Sequence, residues 1–166
     1  MEIERKWLLK GFPVRQHKTH CYIFQTYLAS YDDCEIRIRY CEPALDHNDK
    51  PVSPYKFTYK SGGGLCRNEV EKELTAQQFD ELKKTIPYPA ISKNFYTYEY
   101  DGHTIEVSKV DDDWFYAEVE FNNQLEAEAY DFPWPSLVIE DVTEDKEYKM
   151  KNYWRKTRLK EEIWKF

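Results

Sequence analysis

Carboxylates and cations recur in this chain at the two-residue spacing that puts side chains on one face of a strand. Glu2 and Glu4, Glu69 and Glu71, and Glu118 and Glu120 each form a Glu-x-Glu pair. Arg37 and Arg39 repeat the spacing with positive charge, and Lys56 and Lys60 share a face with Thr58 between them. Lys6 falls in step with Glu2 and Glu4, Glu35 with Arg37 and Arg39, and Arg67 with Glu69 and Glu71. The intervening positions are apolar: Ile3 and Trp7, Ile36 and Ile38, Tyr55, Phe57 and Tyr59, Ala117, Val119 and Phe121. A single such face is the wet side of an antiparallel sheet. The set as a whole is concentrated in Glu, Arg and Lys. If the sheet closes with these faces inward, burying them dry would cost roughly several kcal/mol per ion. The lumen would therefore be hydrated, with a divalent cation answering the carboxylates and a polyanion answering the cations. No HxxxH, Gly-x-Ser-x-Gly or Cys/His nucleophile arrangement is present. Ser61–Gly64 lacks the strand-to-helix context of a phosphate loop and reads as a turn.

The elements that must carry these residues are short strands rich in β-branched and aromatic side chains. The pattern predicts strands at Glu2–Leu9, His20–Ala29, Cys34–Cys41, Pro54–Lys60, Arg67–Leu74, Ile91–Tyr100, His103–Val110 and Trp114–Asn122. Asp101-Gly102 is a two-residue hairpin signal. Thr75 and Gln78 have capping-box spacing ahead of a stripe of Ala76, Phe79, Leu82 and Ile86, which Pro87 stops. A second helix is expected from about Gln124 to Tyr130, and a basic C-terminal helix over about 143–162. Eight strands with few helices make the fold mainly β, an eight-stranded antiparallel closed barrel with peripheral helices, in a single domain over 1–166.

Composition narrows the function. A chain of 166 residues with 41% hydrophobic residues can bury a core, and no apolar run is long enough to span a bilayer. A net charge of -7 argues against a general nucleic-acid binder. The N-terminus opens on charge with no apolar signal region, and the four cysteines form no CxxC pair. Both features point to free thiols in a reducing cytoplasm. Oligomeric state is not encoded in any motif.

In order along the chain, Glu2-Ile3-Glu4-Arg5-Lys6, Gln25 with Tyr27-Leu28, and Glu35-Ile36-Arg37-Ile38-Arg39 lead a series of motifs. Lys56 and Lys60 before Ser-Gly-Gly-Gly-Leu, then Arg67, Glu69 and Glu71, come next. Lys93 with Tyr96, Glu106, Ala117–Phe121 and Asp141–Tyr148 complete it. The series resembles the CYTH superfamily, the triphosphate tunnel metalloenzymes, and within it the short bacterial inorganic triphosphatase branch. The resemblance implies an eight-stranded tunnel that hydrolyses inorganic or another triphosphate with Mg²⁺ or Mn²⁺. It implies metal at Glu2, Glu4, Glu118 and Glu120, and phosphate contacts from Lys6, Arg37, Arg39, Lys56, Lys60, Arg67 and Lys93. Glu2, Glu4, Lys6 and Arg39 would be the catalytic set, with Glu69, Glu71 and Glu106 orienting the cations or supporting the metal. The expected partner is a small triphosphate, with neither nucleic acid nor membrane. Adenylate cyclisation and thiamine triphosphate hydrolysis are related activities, and a polyphosphate- or nucleotide-binding module with little turnover is the alternative of another class. Two positions depart from the family pattern. Phe95 stands where an Arg is expected, and Ser108 where an acidic ligand is expected, with Asp111, Asp112 and Asp113 close behind as possible replacements.

Overall fold

The computed structural model describes residues 1–160. Nine strands alternate with short helices: β1 (Glu2–Leu9), β2 (Thr19–Ser30), β3 (Cys34–Glu42), β4 (Tyr55–Ser61), β5 (Cys66–Glu73), β6 (Ile91–Tyr100), β7 (His103–Val110), β8 (Trp114–Glu120) and β9 (Val138–Asp141). The helices are α1 (Ala76–Lys83), α2 (Gln124–Ala129) and α3 (Met150–Trp154). Strand order is β5-β4-β3-β2-β6-β7-β8-β1-β9, and pairing of β5 with β1 closes eight of them into an antiparallel barrel. The expected strands coincide with β1, β6 and β7 and lie within one or two residues of the other five.

Closure is brief. Only Glu2↔Arg67 and Ile3↔Cys66 join β1 to β5. Further along, β9 takes over as the neighbour of β1 across Trp7–Leu9. The backbone continues this seam, with Val142 N–H donating to the Lys6 carbonyl at 2.9 Å. β9 was not expected; its four residues fall between Pro135 and an acidic run and pair with a strand distant in sequence.

The sheet is inside out relative to a common barrel. Trp7 and Leu9, Tyr98, Ile105 and Val107, and Ala117 and Val119 point outward, away from the charged lumen. Ala127 of α2 and Trp134 roof them, and each fully buried side chain there contributes about 1.5–3 kcal/mol. A second apolar cluster closes one end of the barrel. Tyr27, Ile91, Val110 and Tyr116 lie on the lumen-facing parity there, and Met150 and Trp154 of α3 cap them.

The turns follow the chemistry of their residues. Asp101 and Gly102 both have positive φ, 49° and 77°, as a two-residue hairpin requires. Gly64, at φ 70°, also packs against Glu144, whose Oε2 would lie 2.8 Å from any Cβ placed there. Thr75 and Gln78 form the expected capping box on α1. That helix ends at Lys83 rather than running to Ile86, because the residues before Pro87 close into i→i−3 turns, with Thr85 N–H on the Leu82 carbonyl. The long C-terminal helix expected over 143–162 is broken. Thr143 bonds back to Asp141 through both N–H and Oγ1, and Asp145 caps a 3-10 turn at Lys146–Tyr148. α3 begins only at Met150, and a π-turn follows at Arg155–Leu159. The remainder of that expectation lies outside the described residues. Among the described residues no helix is long and apolar enough to cross a membrane.

Candidate active site

All fourteen residues to which the resemblance gives a metal, phosphate or supporting role line one cavity of about 700 Å³ within the barrel. Strand parity brings them there. β1 supplies Glu2, Glu4 and Lys6, and β3 supplies Arg37 and Arg39. β4 supplies Lys56 and Lys60, and β5 supplies Arg67, Glu69 and Glu71. Lys93, Glu106, Glu118 and Glu120 come from β6, β7 and β8. At one rim, His103 meets Glu126 at 2.9 Å.

One side of the lumen is internally neutralised. Lys60 bridges Glu2 at 2.8 Å and Glu69 at 3.1 Å. Arg67 meets Glu35 at 2.9 Å, and both are buried. Lys56, more open to solvent, pairs with Glu71 at 2.9 Å. Lys6 sits 3.2 Å from Glu118 and lies over the Tyr116 ring at 3.9 Å from its centroid. Burial alone would raise Glu118, but Lys6, Lys93 and Lys60 overcome it and hold the carboxyl down to about 2. Burial and the neighbouring Glu4 push Glu2 up to about 8 against the pull of Lys60. Lys60 and a hydrogen bond with Glu2 hold Glu69 below the usual carboxylate range despite burial.

The other side is not neutralised. Among the described residues Arg37, Arg39 and Lys93 form no salt bridge, and the Nε of each arginine lacks a hydrogen-bond partner. Arg39 donates instead to Gln25 Oε1 at 3.1 Å, and Lys93 to the Tyr116 hydroxyl at 2.6 Å. Burial, then Arg39, push Lys93 well below the ordinary lysine value; burial and Arg37 lower Arg39. Arg37 differs, since Tyr27, Glu35 and Glu118 raise it despite burial. Glu4, Glu106 and Glu120 likewise form no salt bridge among the described residues. Burial and Glu118 raise Glu4, and the same two causes lift Glu106 to about 7. Glu106 is open to lumen water yet surrounded by protein on every side.

Phe95 and Ser108, the two departures from the family pattern, are direct cross-strand partners between β6 and β7. Where both members of a charge pair are absent together, neither is left buried and unsatisfied. Asp111 does not replace the missing carboxylate. It accepts from Arg158 and Tyr153 at 2.6 Å each and from Ser92 N–H at 3.0 Å, outside the lumen, and Asp112 pairs with Lys109. Sequence reasoning gave no role to Glu35, the buried partner of Arg67, or to Lys149. Lys149 reaches the cavity from the segment that follows β9, and burial lowers its pKa. Parity exposes Glu35, which shares the face of Arg37; no local signal identifies Lys149.

Among the described residues no three His, Cys, Asp or Glu groups already converge as a metal cage. The donor chemistry nonetheless suits a hard divalent cation. Glu4 and Glu120 are register partners without counter-ions, and Glu118 adjoins Glu4 closely enough to raise it. Glu2 and Glu118 would each have to share with the lysine that now holds them.

An eight-stranded barrel whose charged lumen carries cations without salt bridges on one wall and carboxylates without salt bridges near another defines a tunnel suited to a small polyanion. No protein-family profile matches the sequence. The chain is 32% identical over 163 residues to the inorganic triphosphatase of Nitrosomonas europaea, spanning 90% of this chain and 94% of that protein. It belongs to that protein's family. The crystal structure of the inorganic triphosphatase NE1496 superposes with a TM-score of 0.60 at 28% identity, over 92% of this chain and 93% of that one. A conserved hypothetical protein from Pyrococcus furiosus, at 22% identity and TM-score 0.54, covers 78% of this chain and 83% of its own and shares the fold.

Proposed function

We propose that this protein is a triphosphatase of the CYTH class that hydrolyses inorganic triphosphate inside the barrel, releasing orthophosphate. The observation that carries the reading is the lumen cluster of Arg37, Arg39 and Lys93, cations that form no salt bridge among the described residues. Phosphoryl transfer needs in-line positioning and neutralisation of charge on the phosphoryl oxygens more than covalent help. Guanidinium groups grip phosphate through forked bonds, and lysines act as point charges. Arg37 and Arg39 therefore orient the chain of phosphates, with Lys93 beside them and Lys6, Lys56, Lys60 and Arg67 exchanging part of their carboxylate contact for phosphate oxygens.

Glu2, Glu4, Glu118 and Glu120 would hold Mg²⁺ or Mn²⁺, which when bound would neutralise phosphoryl oxygens and lower the pKa of a bound water. Glu69 and Glu71 keep Lys60 and Lys56 in place, and Glu106 would support the metal. Glu106, lifted to about 7, holds or releases a proton near neutrality. The relative named an inorganic triphosphatase supports the substrate class.

Phosphate release from tripolyphosphate, ATP and thiamine triphosphate, each with Mg²⁺ and with Mn²⁺, tests the reading. Fastest release from tripolyphosphate with a divalent cation present is the expected result. Cyclic AMP and pyrophosphate from ATP, or tight tripolyphosphate binding without phosphate release, would overturn it.

A further inference from the structure

Two thiols lie beside the cationic wall without a part in triphosphate chemistry. Cys21 on β2 and Cys41 on β3 share a hydrogen bond with their sulfur atoms 3.2 Å apart. Both are half-buried free cysteines. Register sets Ile23 opposite Cys41, so Cys21 sits one diagonal away on the same lumen-facing parity, and Cys41 follows Arg39 by two residues. Cys34 and Cys66 have no such thiol contact among the described residues. The two sulfurs are chemically unequal. The hydrogen bond shared with Cys21, together with Arg39 and Lys56, holds Cys41 down to about 7 despite burial, whereas the same bond and burial push Cys21 up. A thiolate beside cations is the nucleophile of a dithiol pair, and its protonated neighbour is the resolving thiol.

We propose that Cys21 and Cys41 form a redox-active dithiol, which a hydroperoxide converts reversibly into a disulfide that ties β2 to β3 next to Arg39. The Cys41 thiolate attacks one peroxide oxygen, the S–O bond forms as the O–O bond breaks, and the leaving oxygen takes a proton to depart as water or an alcohol. Cys21 then gives up its proton and attacks the sulfenic sulfur. The S–S bond forms as the S–O bond breaks, and hydroxide leaves with that proton as water. Two electrons pass from the thiols to the peroxide. The sulfurs must approach from 3.2 Å to about 2.05 Å, near the ends of both strands at the barrel rim. The bridge is neutral, so it removes a partly ionised thiol from beside Arg39 and Lys56.

Peroxide treatment of the intact protein, followed by alkylation and non-reducing peptide mass spectrometry, tests the pair. The expected product is a Cys21–Cys41 crosslink about 2 Da lighter than the dithiol, reversed by dithiothreitol, with Cys34 and Cys66 alkylated. Cys21→Ser is expected to leave a sulfenic acid at Cys41 that dimedone traps, and Cys41→Ser to consume peroxide at least about tenfold more slowly. Oxidation of Cys34 or Cys66 first, or undiminished peroxide consumption by Cys41→Ser, overturns the dithiol. The coupling to the site rests on the triphosphatase reading and has its own readout, which the crosslink does not depend on. The oxidised protein is expected to show a KM for tripolyphosphate roughly two- to fivefold lower at pH about 8, as the competing negative charge is lost. An unchanged or higher KM overturns that coupling.

Discussion

The β4–β5 wall of the lumen and the wall formed by β3, β2 and β6 carry the same residue types in opposite states. On the first, Lys60 and Arg67 are locked to Glu2, Glu69 and Glu35. On the second, Arg37, Arg39 and Lys93 form no salt bridge among the described residues, and Arg39 donates to Gln25 and Lys93 to Tyr116. Paired charges hold the barrel closed across its two-residue seam, since the Glu2–Lys60 bridge ties β1 to β4 across it. Unpaired charges are a standing electrostatic cost that a ligand removes. Identical side chains thus stand paired on one wall and without salt bridges on the other.

The contrast is sharpened most by Glu4→Gln, which is expected to lower metal-dependent phosphate release by about 100-fold or more. Its melting temperature is expected to hold or rise at mildly alkaline pH, because a carboxylate beside Glu118 has been neutralised. Arg39→Ala should reduce kcat/KM by about 10- to 100-fold, the worth of a hydrogen bond to a charged group, with no fall in thermal stability. Lys60→Met belongs to the other wall. It leaves Glu2 and Glu69 facing each other, so calorimetry should show a melting temperature lower by roughly several degrees. Equal destabilisation by Arg39→Ala and Lys60→Met would erase the distinction.

Titration of the ligand-free protein reads the same contrast at smaller amplitude. Glu2, lifted to about 8, and Glu106, lifted to about 7, keep their protons in the fold well above the ordinary value of 4.5. The folded state therefore binds more protons than the unfolded chain between those values, and stability falls as pH rises through that window. Glu118, held down to about 2, contributes stability that is already complete above 4.5 and adds no slope there. The melting temperature should decline by roughly a few degrees from pH about 5 to about 8, and Mg²⁺ with tripolyphosphate should flatten the decline. Smallest of all, Lys56→Ala removes a solvent-open pair with Glu71 and should change stability by less than about 1 kcal/mol in denaturant melts.

Much of this was legible in the sequence, because strand parity is local. Glu2, Glu4 and Lys6 must share a face, and so must Arg37 and Arg39, whatever the register. Parity does not say which cation finds a carboxylate. The Lys60–Glu2 bridge joins residues 58 positions apart, and its existence depends on how β5 meets β1. The pairing of Phe95 with Ser108 follows from the two-residue Asp101-Gly102 turn, which fixes the register of β6 on β7. The diversion of Asp111 to Arg158 joins residues 47 apart and has no local signal. The C-terminal helix was overread for a local reason. Thr143 and Asp145 suit a helix start, but Asp141 captures Thr143 in a turn and β9 pulls the chain along β1.

The apolar floor built by Tyr27, Ile91, Val110, Tyr116, Met150 and Trp154 turns a pipe into a flask. With that end plugged, arrivals and departures are confined to the charged remainder of the lumen. On the proposed reading spent phosphate must leave the arginines before fresh substrate settles there, so orthophosphate and pyrophosphate are expected to compete with the incoming chain for the same cations.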